Sequence, residues 1–157
     1  MEKSTCKTSV MTEKKLKNIF VHGPVSSAFI ADSIEKHSTK TEIGGHSIFL
    51  GQVRADSIDG KKIVAIEYTG YEEMALIRMD AIREEIFAKY ELICMHVYHS
   101  LGEIAAGEIC LFVFTSSTHR KAAIEACNET VERIKAELPI WGKELFEDDT
   151  HQWKVNK

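Results

Sequence analysis

The chain has 157 residues, 44% of them apolar, with only 2 prolines, and its 20 basic and 24 acidic residues give a net charge of −4. That length and composition fit one domain with a sizeable core rather than two, and the slightly acidic balance excludes a surface devoted to nucleic acid or anionic membrane. No uninterrupted apolar run approaches a bilayer span, so a soluble, cytoplasmic protein is expected.

Residues 1–17 are polar and rich in Lys, Ser and Thr. They read as a flexible tail ahead of a single domain over residues 18–157. A short strand is expected at 18–22, and Gly23-Pro24 breaks it before a helix at about 25–37, with Pro24 suited to the first turn. A glycine turn at 41–46 leads into a strand at 47–54. Ile48, Leu50 and Gln52 lie on one face of that strand and Phe49, Gly51 and Val53 on the other. Residues 55–61 read as a polar loop and 63–68 as the returning strand.

Between Tyr71 and Tyr90, apolar residues at Ala75, Met79, Ile82, Ile86 and Tyr90 recur at spacings of three and four, the mark of an amphipathic helix. Residues 92–99 and 108–115 are rich in strong β-formers. They are expected to pair as antiparallel neighbours across a turn at 101–107. A second long helix follows, with Ala123, Ile124, Cys127, Val131, Ile134 and Leu138 as its core stripe, Ser117 or Thr118 as N-cap, and Pro139 as its end. Short strands at 141–146 and 150–155 flank the acidic turn Glu147-Asp148-Asp149. Helices mixed with hairpin-like returns define an α+β class, a two-layer domain with a mostly antiparallel sheet packed with helices.

The four cysteines, Cys6, Cys94, Cys110 and Cys127, form no Cys-x-x-Cys pair and read as reduced thiols. His96 and His99 project to opposite faces of a strand and make poor partners for a shared metal. No His-Glu-x-x-His, glycine-rich phosphate loop or Gly-x-Ser-x-Gly elbow is present, which counts against zinc proteolysis, nucleotide hydrolysis and serine hydrolysis.

The candidate site residues lie elsewhere. His119 and Arg120 stand where a helix begins, beside unpaired N–H groups and the positive end of the dipole, a setting suited to phosphate or carboxylate. A solvated first turn is the plainer reading of that pair. Lys135 sits one turn before Pro139 with its stem against the core stripe. Partial desolvation would lower its pKa for acid, base or nucleophilic work, whereas a snorkelling helix-end lysine is the ordinary alternative. Arg54 closes a strand near Gly51 and could meet a phosphate or simply be exposed. Lys143 and Glu144 form either a site pair or a surface ion pair.

Taken together, several motifs resemble the large, catalytic subunit of molybdopterin synthase. They are Phe49-Leu50-Gly51-Gln52-Val53-Arg54, Glu67-Tyr68 to Tyr71 with Met74-Ala75, His99-Ser100-Leu101-Gly102 with Gly107-Glu108, Ser117-Thr118-His119-Arg120, Lys135, and Pro139-Ile140-Trp141-Gly142-Lys143-Glu144 with Trp153. The resemblance runs from about Asn18 to Trp153. It implies an α/β hammerhead fold and a sulfurtransferase of molybdenum cofactor biosynthesis. Such an enzyme adds two sulfurs to cyclic pyranopterin monophosphate, the sulfur arriving as a thiocarboxylate on the C-terminal Gly-Gly of a small ubiquitin-like partner. Neither metal nor redox cofactor is implied.

In that setting Lys135, Lys143 and Arg54 are the implied catalytic residues. Gln52, Val53, Arg54, His119, Arg120, Lys135, Gly142, Lys143 and Glu144 are the implied substrate contacts. Two positions depart from the pattern: Gly142 stands where the family usually has a lysine, with Lys143 one residue later, and Ser100 stands where an arginine is favoured.

Arg120 and Lys135 are 15 residues apart on one helix, or roughly 22 Å at about 1.5 Å per residue. One substrate meets both most readily across a two-fold interface, so a homodimer within a heterotetramer is expected. Two other classes fit part of the pattern: a non-catalytic binder of a phosphorylated ligand, which would not need Lys135, and a structural partner of a ubiquitin-like protein.

Overall fold

The computed structural model describes residues 15–156. Most of the expected tail, with Cys6, lies outside the described residues. The elements in order are β1 (Phe20–His22), α1 (Ser27–Glu35), β2 (Gly45–Gln52), β3 (Ser57–Ile58), β4 (Lys61–Gly70), α2 (Glu72–Lys89), β5 (Cys94–Ala105), β6 (Ile109–Ser117), α3 (Arg120–Glu137), β7 (Ile140–Phe146) and β8 (His151–Trp153). The strands form one sheet in the order β2-β6-β5-β4-β7-β8, with β1 beside β5 and β3 beside β4. Every pairing is antiparallel except β1 with β5. The α+β class with a mostly antiparallel sheet is therefore what the chain adopts.

Strand β5 organises this sheet. Its first half pairs with β6, from Cys94 opposite Ser116 to His99 opposite Leu111, and its second half pairs with β4, from Gly102 opposite Tyr68 to Ala105 opposite Ala65. The expected turn at 101–107 is thus mostly strand, and the reversal is confined to Ala106-Gly107-Glu108. Gly102 has φ of +90°, a left-handed conformation that L side chains rarely adopt. A glycine there allows the strand to change partners without ending.

Helices α2 and α3 cover one face. Ala75, Met79, Ile82 and Ile86 of α2 and Ala126, Cys127, Val131 and Ile134 of α3 close over Met95, Val97, Leu111 and Val113 of the sheet. Burying each large aliphatic side chain is worth about 1.5–3 kcal/mol, so this layer dominates the stability of the domain. Ile124, expected on the core stripe, is 54% exposed. It falls about 100° around the helix from Ala123, and the buried stripe continues instead through Ala126 and Thr130. The rim of the two helices is closed by Lys89–Glu129 at 2.5 Å and by the Arg78–Glu137 and Arg133–Glu85 pairs.

The short helix α1 sits on the other face, where Val25, Phe112 and Phe114 form a separate cluster and Phe29 meets Tyr98 edge to face. Its N-cap is Ser26, whose Oγ accepts the Phe29 N–H at 3.1 Å. Pro24 therefore precedes the cap rather than opening the first turn. The polar loop at 55–61 also carries a little more order than expected, because Ser57 and Ile58 pair with Lys62 and Lys61.

Candidate functional site

At the C-terminal end of α3 the chain encloses a cavity of about 120 Å³ whose walls come from β2, β4, β5, β6 and β7 as well as the helix. Lys135 projects from the last turn of α3, and Gln52, Tyr68, His99, Cys110 and Gly142 line the space around it. A wider cleft of about 590 Å³ adjoins it, sharing Gly51, Gln52, Lys135, Lys154 and Asn156 and extending to Arg54, Glu144 and Gln152.

The register of the strands explains the convergence. Tyr68 lies opposite Gly142 and Ile66 opposite Glu144 on the β4–β7 ladder, so alternate residues of both strands face the cavity side. A Cβ built on Gly142 would lie 3.0 Å from Ile66 Cγ2 and 3.2 Å from Tyr68 Cε1. The backbone of β7 thus packs directly on the Tyr68 ring. Tyr68 in turn donates to Cys110 Sγ at 3.5 Å, and Cys110 Sγ donates to the Gly51 carbonyl at 3.4 Å. Burial, with Cys110 and Glu144 nearby, raises the Tyr68 pKa, so the phenol stays protonated.

Two groups in the cavity are shifted away from their charged forms. The residue Lys135 is open to solvent at the cavity mouth, yet desolvation of its ammonium pushes its pKa down. The positive charge of Lys154 adds to that, against smaller opposing effects of Cys110 and Glu132. His99 is buried and its pKa is lowered to about 4, first by desolvation and then by Lys135 and Lys154, although its bond to Ser100 acts in the other direction. The Nδ1–H of His99 donates to the Ser100 carbonyl at 2.8 Å, which leaves Nε2 of the neutral ring as an acceptor.

The remaining sequence candidates divide. Arg54 lies just beyond β2, exposed and paired with Asp56 at 3.1 Å on the wall of the wider cleft. Glu144 is buried on that wall and accepts a bond from Gln152 at 3.1 Å. Val53 is 2% exposed, and both its backbone groups are used inside the fold, its N–H on the Glu108 carbonyl and its C=O on the Gly107 N–H. Lys143 projects to the opposite side of β7 from Gly142 and sits 3.6 Å from Glu67 Oε1. Neither Val53 nor Lys143 lines the cavity or the cleft.

His119 and Arg120 are at the other end of α3, in a shallow depression with Gly44, Thr118 and Lys121. The N-cap is His119 rather than Ser117 or Thr118. Ser117 Oγ instead reaches past it to accept the Ala123 N–H at 3.0 Å. Within one chain this depression shares no residue with the Lys135 cavity or the adjoining cleft.

Sequence reading missed His99, Tyr68, Cys110 and Lys154 as cavity residues. Their approach depends on pairing between distant strands, and Lys154 carried no local signal beyond following Trp153. It also missed His37, whose Nε2 lies 3.1 Å from His96 Nε2 near Cys94. This trio has metal-ligating atoms within 4.8 Å of one another. Lys40 contacts Cys94 Sγ at 2.8 Å, and the charges of Lys17, Arg83 and Lys40 all bear on His96, an environment that opposes a divalent cation.

The chain is thus a small α+β domain whose long helix carries a cationic depression at its start and a lysine-bearing cavity at its end, a charge arrangement suited to anionic ligands. The model of the MoaE protein family matches residues 24–137, and the chain belongs to that family. It is 42% identical over 116 residues to a molybdopterin synthase catalytic subunit of Drosophila willistoni, covering 73% of this chain and 31% of the relative. It is 39% identical over 121 residues to one of Oryza sativa subsp. indica, covering 77% and 62%. The chain thus spans about a third of the fly relative's length and under two thirds of the rice one's.

Among solved structures, molybdopterin synthase from Staphylococcus aureus superposes with a TM-score of 0.77 at 29% identity, over 90% of this chain and 100% of that one. A complex of subunits 1 and 2 of molybdopterin-converting factor from Helicobacter pylori matches with a TM-score of 0.74 at 18% identity, over 88% and 90%, and shares the fold.

Proposed function

We propose that the chain is the catalytic subunit of a molybdopterin synthase, a sulfurtransferase acting on cyclic pyranopterin monophosphate with a thiocarboxylated ubiquitin-like protein as sulfur donor. The observation that carries this reading is the cavity at the end of α3. There Lys135, with a lowered pKa, stands among Gln52, His99 and the backbone of Gly142, next to a cleft bearing Arg54. Family membership and the match to the whole of the Staphylococcus aureus chain support it. The Helicobacter pylori structure, a complex of two subunits on this fold, supports a separate small partner.

The chemistry fits a site of this kind. The donor's thiocarboxylate sulfur attacks a carbon of the pterin side chain, forming a C–S bond as that carbon's C–O bond breaks, with the partner left attached through a thioester. The oxygen leaves on the opened phosphate in one addition and as water in the other. Water then cleaves the thioester, releasing the partner's carboxylate and leaving sulfur on the product, and a second donor repeats the cycle. Lys135 stabilises the negative charge that develops at each acyl transfer and exchanges a proton with the leaving group. Its lowered pKa favours that exchange near neutrality.

Arg54 and Gln52 face the substrate from the cleft, Glu144 braces the cleft wall, and Gly142 offers the substrate its backbone in the cavity lining, with Tyr68 and Ile66 packed where a side chain would stand. Lys143, held by Glu67, and Val53, with its backbone occupied, support the strands instead. His119 and Arg120 hold the substrate phosphate from a second copy of the chain, because the two ends of α3 are roughly 22 Å apart at about 1.5 Å per residue. The assembly proposed is therefore a homodimer carrying two small subunits. It would work in the cytoplasm, where thiols such as the buried Cys94, Cys110 and Cys127 stay reduced.

The test is reconstitution. The purified chain, cyclic pyranopterin monophosphate and a thiocarboxylated partner should yield molybdopterin, and a partner lacking its C-terminal Gly-Gly should yield none. Partner binding without product would overturn the enzymatic reading in favour of a structural role.

A further inference from the structure

Beyond β8 the chain does not leave the molecule at once. The Lys154 N–H donates to the Gly142 carbonyl at 2.8 Å, and Asn156 Nδ2 donates to the Lys135 carbonyl at 3.3 Å. The segment 154–156 is therefore tied at one end to β7 and at the other to the last turn of α3, across the mouth of the cavity. Lys154 and Asn156 line both the cavity and the adjoining cleft.

Gly142 makes this closure possible. With no side chain, it brings Tyr68 and Ile66 up to the β7 backbone, and its carbonyl is used to hold Lys154. Position 142 contributes no charge to the cavity, and Lys143, next along, faces away to Glu67. Among the described residues neither Lys135 nor Lys154 forms a salt bridge. Two ammonium groups that line one space, neither held in a salt bridge, repel each other. That repulsion is relieved when an anion enters.

We propose that Lys154 is the second cationic residue of the Lys135 cavity and binds, together with Lys135, the anionic group of the occupant. Resting on the function proposed above, that group is the terminal thiocarboxylate of the sulfur donor, or the carboxylate left after transfer. Lys154 is a substrate-binding residue in this assignment, and the 154–156 segment is the wall that presents it. The depressed proton affinities of Lys135 and His99, both influenced by Lys154, agree with the placement.

The experiment has two arms, so that failure of this assignment is distinguishable from failure of the functional reading. In the first arm, the full chain is reductively methylated with ¹³C, its lysine resonances are followed by NMR against pH, and sodium sulfate is added as an anion probe. Lys154→Gln should raise the titration midpoint of Lys135 and weaken the sulfate response of Lys135 by about tenfold or more, the loss of one charge-assisted hydrogen bond. Lys154→Arg should stay within about threefold of wild type, and Lys89→Gln, on the far rim of α2, should change neither.

In the second arm, turnover with the thiocarboxylated partner should fall by about tenfold or more in Lys154→Gln and recover in Lys154→Arg. A Lys135 midpoint and sulfate response unmoved in Lys154→Gln would overturn the assignment whatever the turnover. Unchanged turnover in an active enzyme would overturn it too. If the wild-type chain makes no product, the functional reading fails while the first arm still decides whether the two lysines share one anion.

Discussion

Replacing Gly44 by alanine should dislocate the start of α3 through a contact that no side chain can relieve. A Cβ at position 44 would lie 2.0 Å from the Thr118 carbonyl oxygen, whereas ordinary contact begins near 3.4 Å. The backbone entering β2 and the loop 118–120 must therefore separate by about 1.4 Å, the difference between those two distances. Gly44 N–H also donates to the Ser117 carbonyl at 3.0 Å, and a Cβ built on neighbouring Gly45 would already lie 3.2 Å from the Arg120 Cα, so the movement is resisted on both sides.

Overpacking of this kind costs about 1–3 kcal/mol, and a backbone obstacle places Gly44→Ala near the upper end. With a urea slope of about 2 kcal/mol per M, the unfolding midpoint should drop by roughly 1.5 M. Because His119 and Arg120 follow directly, the variant should also raise the KM for the phosphorylated substrate more than it lowers kcat. Urea unfolding followed by circular dichroism reads the first effect and steady-state kinetics the second. A midpoint within about 0.2 M of wild type would refute the argument that this close approach fixes the α3 start.

Acid should weaken the fold through its buried histidines. Since His99 titrates near 4 in the folded chain and near 6.5 when exposed, its contribution is complete above about pH 6.5 and is lost as pH falls towards 4. At about 1.4 kcal/mol per pKa unit the full loss is about 3 kcal/mol, and His96, also lowered to about 4, adds to it. Urea midpoints at pH 7.5 and 4.5 should show this, with a shallower dependence in His99→Gln; parallel profiles for the two proteins would contradict it. Ser100 is fully buried and its Oγ has no hydrogen-bond partner among the described residues, so Ser100→Ala should leave stability unchanged or raise it by about 1 kcal/mol. A loss above about 1 kcal/mol in thermal or urea unfolding would show an undetected partner. Finally, mixing Lys135→Ala with Arg120→Ala after subunit exchange should restore about a quarter of wild-type turnover. Half the dimers are then mixed, and each mixed dimer has one intact site of two. No recovery, with exchange confirmed by mass spectrometry, would place both groups in a single chain's site.

Local pattern made the helices legible. The spacing of Ala75, Met79, Ile82 and Ile86 gave the buried stripe of α2, and Gly-rich punctuation with alternating residues gave β2 and β4. Ile124 misled because a large apolar residue one step from Ala123 looks like part of a stripe, although its direction is set by the helix turn and not by its hydrophobicity. Leu101-Gly102 misled for the converse reason. Glycine normally punctuates, but here its left-handed backbone carries β5 from one partner strand to another.

The site was half legible. Lys135, Gln52 and Arg54 announced themselves through local motifs. Lys154, His99 and Cys110 reach the cavity through pairings between segments far apart in sequence, which no local period reports. Gly142 stood out as a missing lysine, but only the β4–β7 register shows what its absence of a side chain permits.

The most direct test of the central claim is turnover by Lys135→Ala in the reconstituted system, measured beside its affinity for the partner and its urea midpoint. We expect kcat to fall by about a hundredfold or more, as for loss of a group acting on charge and proton in the transition state. Partner affinity should stay within about threefold and the midpoint within about 0.3 M. Wild-type turnover in a folded Lys135→Ala protein would contradict the account and move the chemistry away from the cavity at the end of α3.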